Sequence, residues 1–252
     1  RELYTWSNCK HPNVLQLFGL AMFRGRIGMV SPWMNHGTLP QYLDSHPEVD
    51  RYSLCVQICD GLAYLHDVGI VSDPVLSFTF IELEKVHGDL KGANVLTLAD
   101  GTPVLTDFGN STFAGRGLLF TETTRDSGLT DRWAAPELLE GPGKPSKAAD
   151  VYALGMEVIT GKLPYSGKGD LAVLKLVSDK KHPDRPNEHI PESRGGNKFW
   201  RLLEKCWAYE SKKRPSAAKV TTNVSCMNAC LPLSDFASGI DEIHHTARFE
   251  AS

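Results

Sequence analysis

The stretch His87-Gly88-Asp89-Leu90-Lys91-Gly92-Ala93-Asn94 is followed, thirteen residues after Asn94, by Asp107-Phe108-Gly109. The residue types suit a loop that handles a phosphoryl group. The carboxylate of Asp89 can orient a hydroxyl nucleophile, and the cation of Lys91 can neutralise a transferring phosphoryl. The Asn94 amide and the Asp107 carboxylate can hold Mg²⁺. Any one of these side chains is at home in a solvated turn; the four in this order form a constellation.

Working outward, Val95 to Leu98 and Val104 to Thr106 are short β-leaning runs around an Asp100-Gly101 turn, which puts Asn94 and Asp107 at strand ends. Upstream, Arg1 to Lys10 has Leu3, Trp6 and Cys9 at helical spacing and is halted by His11-Pro12-Asn13, so it reads as the last turns of a helix. Val14 to Phe23 and Arg26 to Trp33 predict a hairpin joined at Arg24-Gly25, with Pro32 ending its second strand. Helices are predicted from Thr38 to Leu43 and from Tyr52 to His66, the latter with an apolar stripe of Leu54, Ile58, Leu62 and Leu65. Past Ala135-Pro136-Glu137, further helices are predicted over Ala148 to Gly161, Asp170 to Ser178, Lys198 to Trp207 and Ser216 to about Cys230. The remaining residues, His244-His245 among them, show no period and read as a loose tail.

The 252 residues, 41% hydrophobic and 23% charged, can bury a core and exclude disorder throughout. A net charge of -3 provides no basic field, so no nucleic-acid partner is implied. No apolar run reaches membrane-spanning length, Val75 to Ile81 being the densest, and no basic-then-apolar leader opens at Arg1-Glu2-Leu3. A cytoplasmic protein is expected. Six cysteines lack C-x-x-C spacing; Cys55/Cys59 and Cys226/Cys230 stand four apart without histidine partners, a poor zinc site, and are expected to be reduced, buried small side chains.

With these features in place, the chain resembles the protein kinase fold, and within it the tyrosine-kinase-like group of Ser/Thr kinases, from about residue 1 to 225. The resemblance rests on ordered motifs: the opening loop, Asp107-Phe108-Gly109, Ala135-Pro136-Glu137, Asp150-Val151-Tyr152-Ala153-Leu154-Gly155, and Cys206-Trp207 followed by Arg214-Pro215-Ser216. It implies an α+β, bilobal kinase-like fold with an incomplete small β lobe and a mainly helical large lobe. Residues 1–34 would be the remnant of the small lobe, 35–225 the helical lobe with an unusual insertion at 71–85, and 226–252 a helix end and tail.

The resemblance also implies roles. Asp89 is expected as the catalytic base, Lys91 as the phosphate-facing cation, and Asn94 and Asp107 as Mg²⁺ ligands, with ATP as phosphoryl donor. Glu2, nine residues before His11, stands where the family places the helix glutamate that pairs with the ATP-binding lysine. Ser31 would guard the back of the adenine pocket, Pro32-Trp33-Met34 would connect the lobes with Met34 donating to adenine, and Leu96 would pack under the base. Trp6, Leu17, His87 and Phe108 fall where the family stacks a hydrophobic spine anchored at Asp150, and Glu137 is expected to pair with Arg214. Lys91, with Thr130 before Ala-Pro-Glu, resembles the Ser/Thr pattern, so protein substrates with Ser/Thr hydroxyls are expected. No pattern specifies an oligomeric state.

Three features depart from the family. No Gly-rich strand-turn-strand and no V-A-I-K-type lysine precede Glu2. Gly167-Lys168-Gly169 imitates the first but follows Ala-Pro-Glu, and Gly161 to Lys168 misses a Walker A loop. Second, excising Val71 to Lys85 restores a continuous Gly-Ile-Val-His-Gly-Asp, so this segment reads as an insertion beside the loop or as a retained intron. Third, Gly88 replaces the arginine that many kinases carry before the catalytic aspartate, which predicts weak dependence on phosphorylation of Thr121, Thr123, Thr124 or Ser127. A catalytically inactive kinase-like binding module, or a non-functional fragment, is the alternative reading of the same motifs.

Overall fold

The apolar stripe predicted between Tyr52 and His66 becomes the longest helix and the centre of the core. In the computed structural model, residues 9–67, 86–106, 131–140, 143–157 and 162–230 are described. Glu2, Trp6, the 71–85 insertion, Asp107, Phe108, the four hydroxyl residues from Thr121 to Ser127, Thr130 and the tail lie outside them.

The hairpin forms with strands β1 (Gly19–Phe23) and β2 (Arg26–Val30), paired antiparallel from Gly19↔Val30 to Phe23↔Arg26. Arg24 and Gly25 both take positive φ, 50° and 74°, the geometry a two-residue turn needs to follow strand twist. The first strand starts later than the apolar run predicts. Val14, Leu15 and Leu17 are buried, and Leu15 donates its N–H to Leu105 O at 2.9 Å while Leu105 donates to Asn13 O at 2.9 Å, so the start of the run is spent on the large lobe. The strands themselves leave Leu20, Met22, Phe23, Ile27, Met29 and Val30 at the surface.

Helix α1 (Leu39–Ser45) begins where Gln41 Oε1 accepts the N–H of Thr38 at 2.9 Å. Helix α2 (Arg51–Asp67) begins at Asp50, whose Oδ1 accepts the N–H groups of Tyr52 at 3.0 Å and Ser53 at 3.1 Å. Its stripe of Leu54, Ile58, Leu62 and Leu65 is buried. Gly61 is required for close approach, because a Cβ there would stand 2.6 Å from Asn13 O. A single turn of 3₁₀ helix, Gly92–Asn94, leads into β3 (Val95–Thr97), which pairs antiparallel with β4 (Pro103–Leu105).

The helical lobe continues with α3 (Pro136–Leu139), α4 (Lys147–Glu157), α5 (Asp170–Ser178), α6 (Arg194–Cys206) and α7 (Ala217–Cys230). α2 packs along α7, and α6 packs against both α4 and α7. α6 starts one turn before the predicted Lys198, because Ser193 Oγ caps it by accepting Gly196 N–H at 3.0 Å and Gly196 fits beneath a crowded wall that includes Pro191 O. Cys9, Cys55, Cys59 and Cys206 are buried and outside any disulfide, as expected, whereas Cys226 is exposed on α7, so that expectation is corrected there. The period of α7 turns Cys226 to solvent while Val220 and Val224 face the core. Among the described residues no helix is long and apolar enough to cross a membrane.

Candidate active site

The loop that opened the sequence reading is held from behind by one buried carboxylate. Asp150, in the first turn of α4, accepts the N–H of His87 at 2.7 Å on Oδ2 and that of Gly88 at 2.9 Å on Oδ1. A third donor, His66 Nε2 at the end of α2, reaches Oδ2 at 2.8 Å. Asp150, His66 and His87 are buried and Gly88 is half-buried, and three donors on one carboxylate offset much of the desolvation that a charge at this depth costs. Gly88 sits at φ +79°, a left-handed conformation that glycine adopts at least cost. Asp150 was legible as an anchor through the family pattern, but His66 was not. Its signal is a polar side chain four residues beyond Leu62, on the apolar stripe itself.

In front of this anchor, Asp89 uses its two oxygens differently. Oδ2 faces Lys91 Nζ at 2.9 Å and accepts Asn94 Nδ2 at 3.0 Å. The same Nδ2 reaches Asp89 O at 2.8 Å, and Asn94 O in turn accepts Thr106 N–H at 2.9 Å and Thr106 Oγ at 3.1 Å. These bonds lock the 3₁₀ turn to β4. Oδ1 is buried and has no hydrogen-bond partner among the described residues. An unmet buried acceptor costs about 1–3 kcal/mol, and a hydroxyl donor arriving there would relieve it.

With the Asn94 amide nitrogen committed to Asp89, its amide oxygen is the atom left for a hard cation, which prefers oxygen ligands. Asn94 therefore offers one oxygen donor to a divalent metal. Among the described residues no group of three or more His, Cys, Asp or Glu side chains could hold one, so Asn94 would need a carboxylate from beyond them, and Asp107 is the sequence candidate.

The expected nucleotide-side residues occupy the connector between hairpin and helices. Ser31 is exposed, its hydroxyl 3.5 Å from Pro32 O, and Met34 O accepts Gly37 N–H at 3.4 Å. His36 N–H donates to Thr97 O at 3.2 Å and Thr97 N–H to Gly37 O at 2.9 Å, which fastens the connector to β3. Leu96 is half-buried between the buried Val95 and Thr97, as alternation along a strand requires, and so stands on the face opposite theirs. The structure thus brings Asp89, Lys91 and Asn94 together and places Leu96 on the strand that follows them; Glu2 and Asp107 lie outside the described residues.

The expected Glu137–Arg214 pair is present and bidentate, 2.7 Å at each oxygen. Arg214, its side chain fully buried, also donates to Ala148 O at 3.0 Å and Ala208 O at 2.8 Å and lies 5.0 Å over the Tyr152 ring. A second anchor went unread in the sequence. Arg132 donates to Asp170 Oδ1 through Nε at 3.0 Å and NH2 at 2.7 Å, to Pro164 O at 3.1 Å and to Lys168 O at 2.7 Å. Nothing in its spacing announces these partners, which come from 32 to 38 residues away.

Comparison with known proteins points the same way. The sequence pattern of the family described as "Protein kinase domain" matches residues 1–224. Serine/threonine-protein kinase STY46 of Arabidopsis thaliana is 29% identical over 87% of this chain and 35% of its own length. Mitogen-activated protein kinase kinase kinase 5 of the same plant is 28% identical over 96% of this chain and 32% of its length. Tyrosine-protein kinase FRK of Homo sapiens is 26% identical over 86% and 40%. The chain thus spans roughly a third of the length of these relatives.

Proposed function

The chain belongs to the protein kinase family, and from that premise we propose that it transfers the γ-phosphoryl group of ATP to serine or threonine hydroxyls of proteins. The observation that carries this reading is the division of labour at Asp89: one oxygen is held by Lys91 and Asn94, the other is an acceptor without a partner among the described residues. Asp89 Oδ1 takes the proton of the attacking hydroxyl, and the fixed Oδ2 keeps the carboxylate oriented while it does so. Lys91, within 2.9 Å of Asp89, sits where it can neutralise charge on the transferring group. Mg²⁺, held by Asn94 and Asp107, would supply charge neutralisation along the phosphates.

Ser31, Met34 and Leu96 line the adenine side in this reading, and Glu2 stands where the family places the partner of the phosphate-binding lysine, a residue this sequence does not itself supply. Lys91 following Asp89-Leu90 supports serine and threonine over tyrosine, as does the name of one of the three relatives described above, STY46, while that of another, FRK, names tyrosine. The test is transfer of labelled phosphate from ATP to a generic basic protein, followed by phosphoamino-acid analysis. Label on serine and threonine, lost in Asp89→Asn, is expected. Label that survives the substitution, or that resides on tyrosine, contradicts the assignment.

A further inference from the structure

Outside the hairpin and connector, two large apolar side chains among the described residues stand in solvent: Leu163 at 46% exposure and Leu171 at 83%. Scattered surface leucines are ordinary. These two are gathered by a buried cation. The Arg132 guanidinium draws Pro164 O, Lys168 O and Asp170 Oδ1 onto itself, so Leu163 and Leu171 flank the ends of one clamped loop. Next to Leu163 opens a cavity of about 170 Å³, lined also by Tyr165, Ile190, Trp200 and Trp207. That is several times the roughly 30 Å³ share of a water molecule.

Two exposed lysines flank Leu171. Leu171 and Lys175 stand four apart on one face of α5, and Lys168 precedes the helix N-cap at Gly169. Both lysines are exposed and make no ion pair among the described residues, whereas neighbouring Asp170 is committed to Arg132 and Glu188 to Lys162. The face therefore offers an apolar knob between two cations without an ion pair among the described residues, and at its Leu163 end a mostly apolar cavity that Lys162, Asp184 and Glu188 also line. Arg132 lies just ahead of Ala135-Pro136-Glu137, and α5 packs against α3, so the face is continuous with the segment expected to meet the substrate.

We infer that this face docks an acidic segment of the protein substrate that carries a bulky apolar side chain, at a distance from the hydroxyl that is phosphorylated. The inference rests on the kinase reading for the identity of the partner. Lysines 168 and 175 pair with carboxylates on either side of the apolar residue, which covers Leu171 and enters the cavity beside Leu163. Arg132 holds the docking loop in register with the segment that leads into α3.

The full chain carrying Asp89→Asn is titrated, without nucleotide, into a fluorescein-labelled peptide of sequence Glu-Asp-Glu-Leu-Phe-Glu-Asp-Glu at low salt, and anisotropy is read. Saturable binding is expected, weakened about tenfold or more by Leu171→Asp and by the double reversal Lys168→Glu/Lys175→Glu. The double reversal should bind the peptide whose acids are replaced by lysine, and Lys219→Glu on α7 should leave affinity unchanged. Absence of saturation, equal binding by all variants, or self-association of two chains abolished by Leu171→Asp overturns the proposal. Because no catalysis is measured, loss of docking in a chain that still phosphorylates protein is distinguishable from failure of the kinase reading itself.

Discussion

His66 and Asp150, 84 residues apart in the chain, meet at 2.8 Å on the same carboxylate that holds the backbone N–H groups of His87 and Gly88. The end of α2, the start of α4 and the loop carrying Asp89 are thereby tied at one point. A buried carboxylate with three donors acts as a fixed post from which the loop cannot drift without stranding a charge.

Replacing Asp150 by Asn should cost about 3 kcal/mol in urea unfolding, because one amide oxygen must serve three donors and the new NH₂ faces them. His66→Ala, which removes one donor of three, should cost less, about 1 kcal/mol. Equal costs for the two would mean that the carboxylate is not the centre of the network.

Gly88→Ala puts a Cβ at φ +79° and should destabilise by about 1–2 kcal/mol, slowing any transfer reaction by displacing Asp89. Gly28→Ala is the control. It lies on β2 outside the left-handed region, and its added Cβ would stand an ordinary 3.8 Å from Ala21 O, so thermal melting should move little.

The Glu137–Arg214 pair should respond asymmetrically. Arg214 is fully buried, while the Glu137 side chain keeps 31% of its exposure. Glu137→Ala leaves the guanidinium among carbonyls without its anion and should cost about 3–5 kcal/mol. In Glu137→Gln one neutral acceptor remains and the cost should fall to about half, as measured by chemical denaturation.

At high pH the chain should lose stability between about 9 and 12. Burial pushes the Cys206 thiol from its ordinary 9.0 up to about 12, and the Tyr165 hydroxyl from 10.0 up to about 12. Both groups release protons in the unfolded chain first, so stability is intact below their ordinary values and falls as pH climbs toward the folded ones. Melting temperature followed across that range tests the sign. In parallel, exposed Cys226 should react with a thiol reagent at neutral pH well before Cys9, Cys55, Cys59 and Cys206, which are buried.

Much of the architecture is legible in local pattern. The stripe through Leu54, Ile58, Leu62 and Leu65 predicts α2 to within a residue at each end, and α5 matches its predicted bounds from Asp170 to Ser178. Strand β1 was less legible, because Val14 to Phe23 is one apolar run in the sequence but divides in space between the helical lobe and the hairpin. The cap at Ser193 likewise moved the start of α6 ahead of the predicted Lys198, and Gly196 there meets the closeness of Pro191 that a side chain would not.

By itself the sequence determined the chemistry on offer: a carboxylate, a cation and an amide within six residues, from Asp89 to Asn94, and the order of motifs around them. Those are properties of neighbours along a chain, and periodicity or spacing can carry them. The tertiary structure alone decided which oxygen of Asp89 is left unmet, that His66 completes the Asp150 post, and that Arg132 clamps the loop before α5. Each of these depends on hydrogen-bond directions between groups brought together by packing from distant parts of the chain, where a shift of one ångström makes or breaks the contact and no local pattern records it.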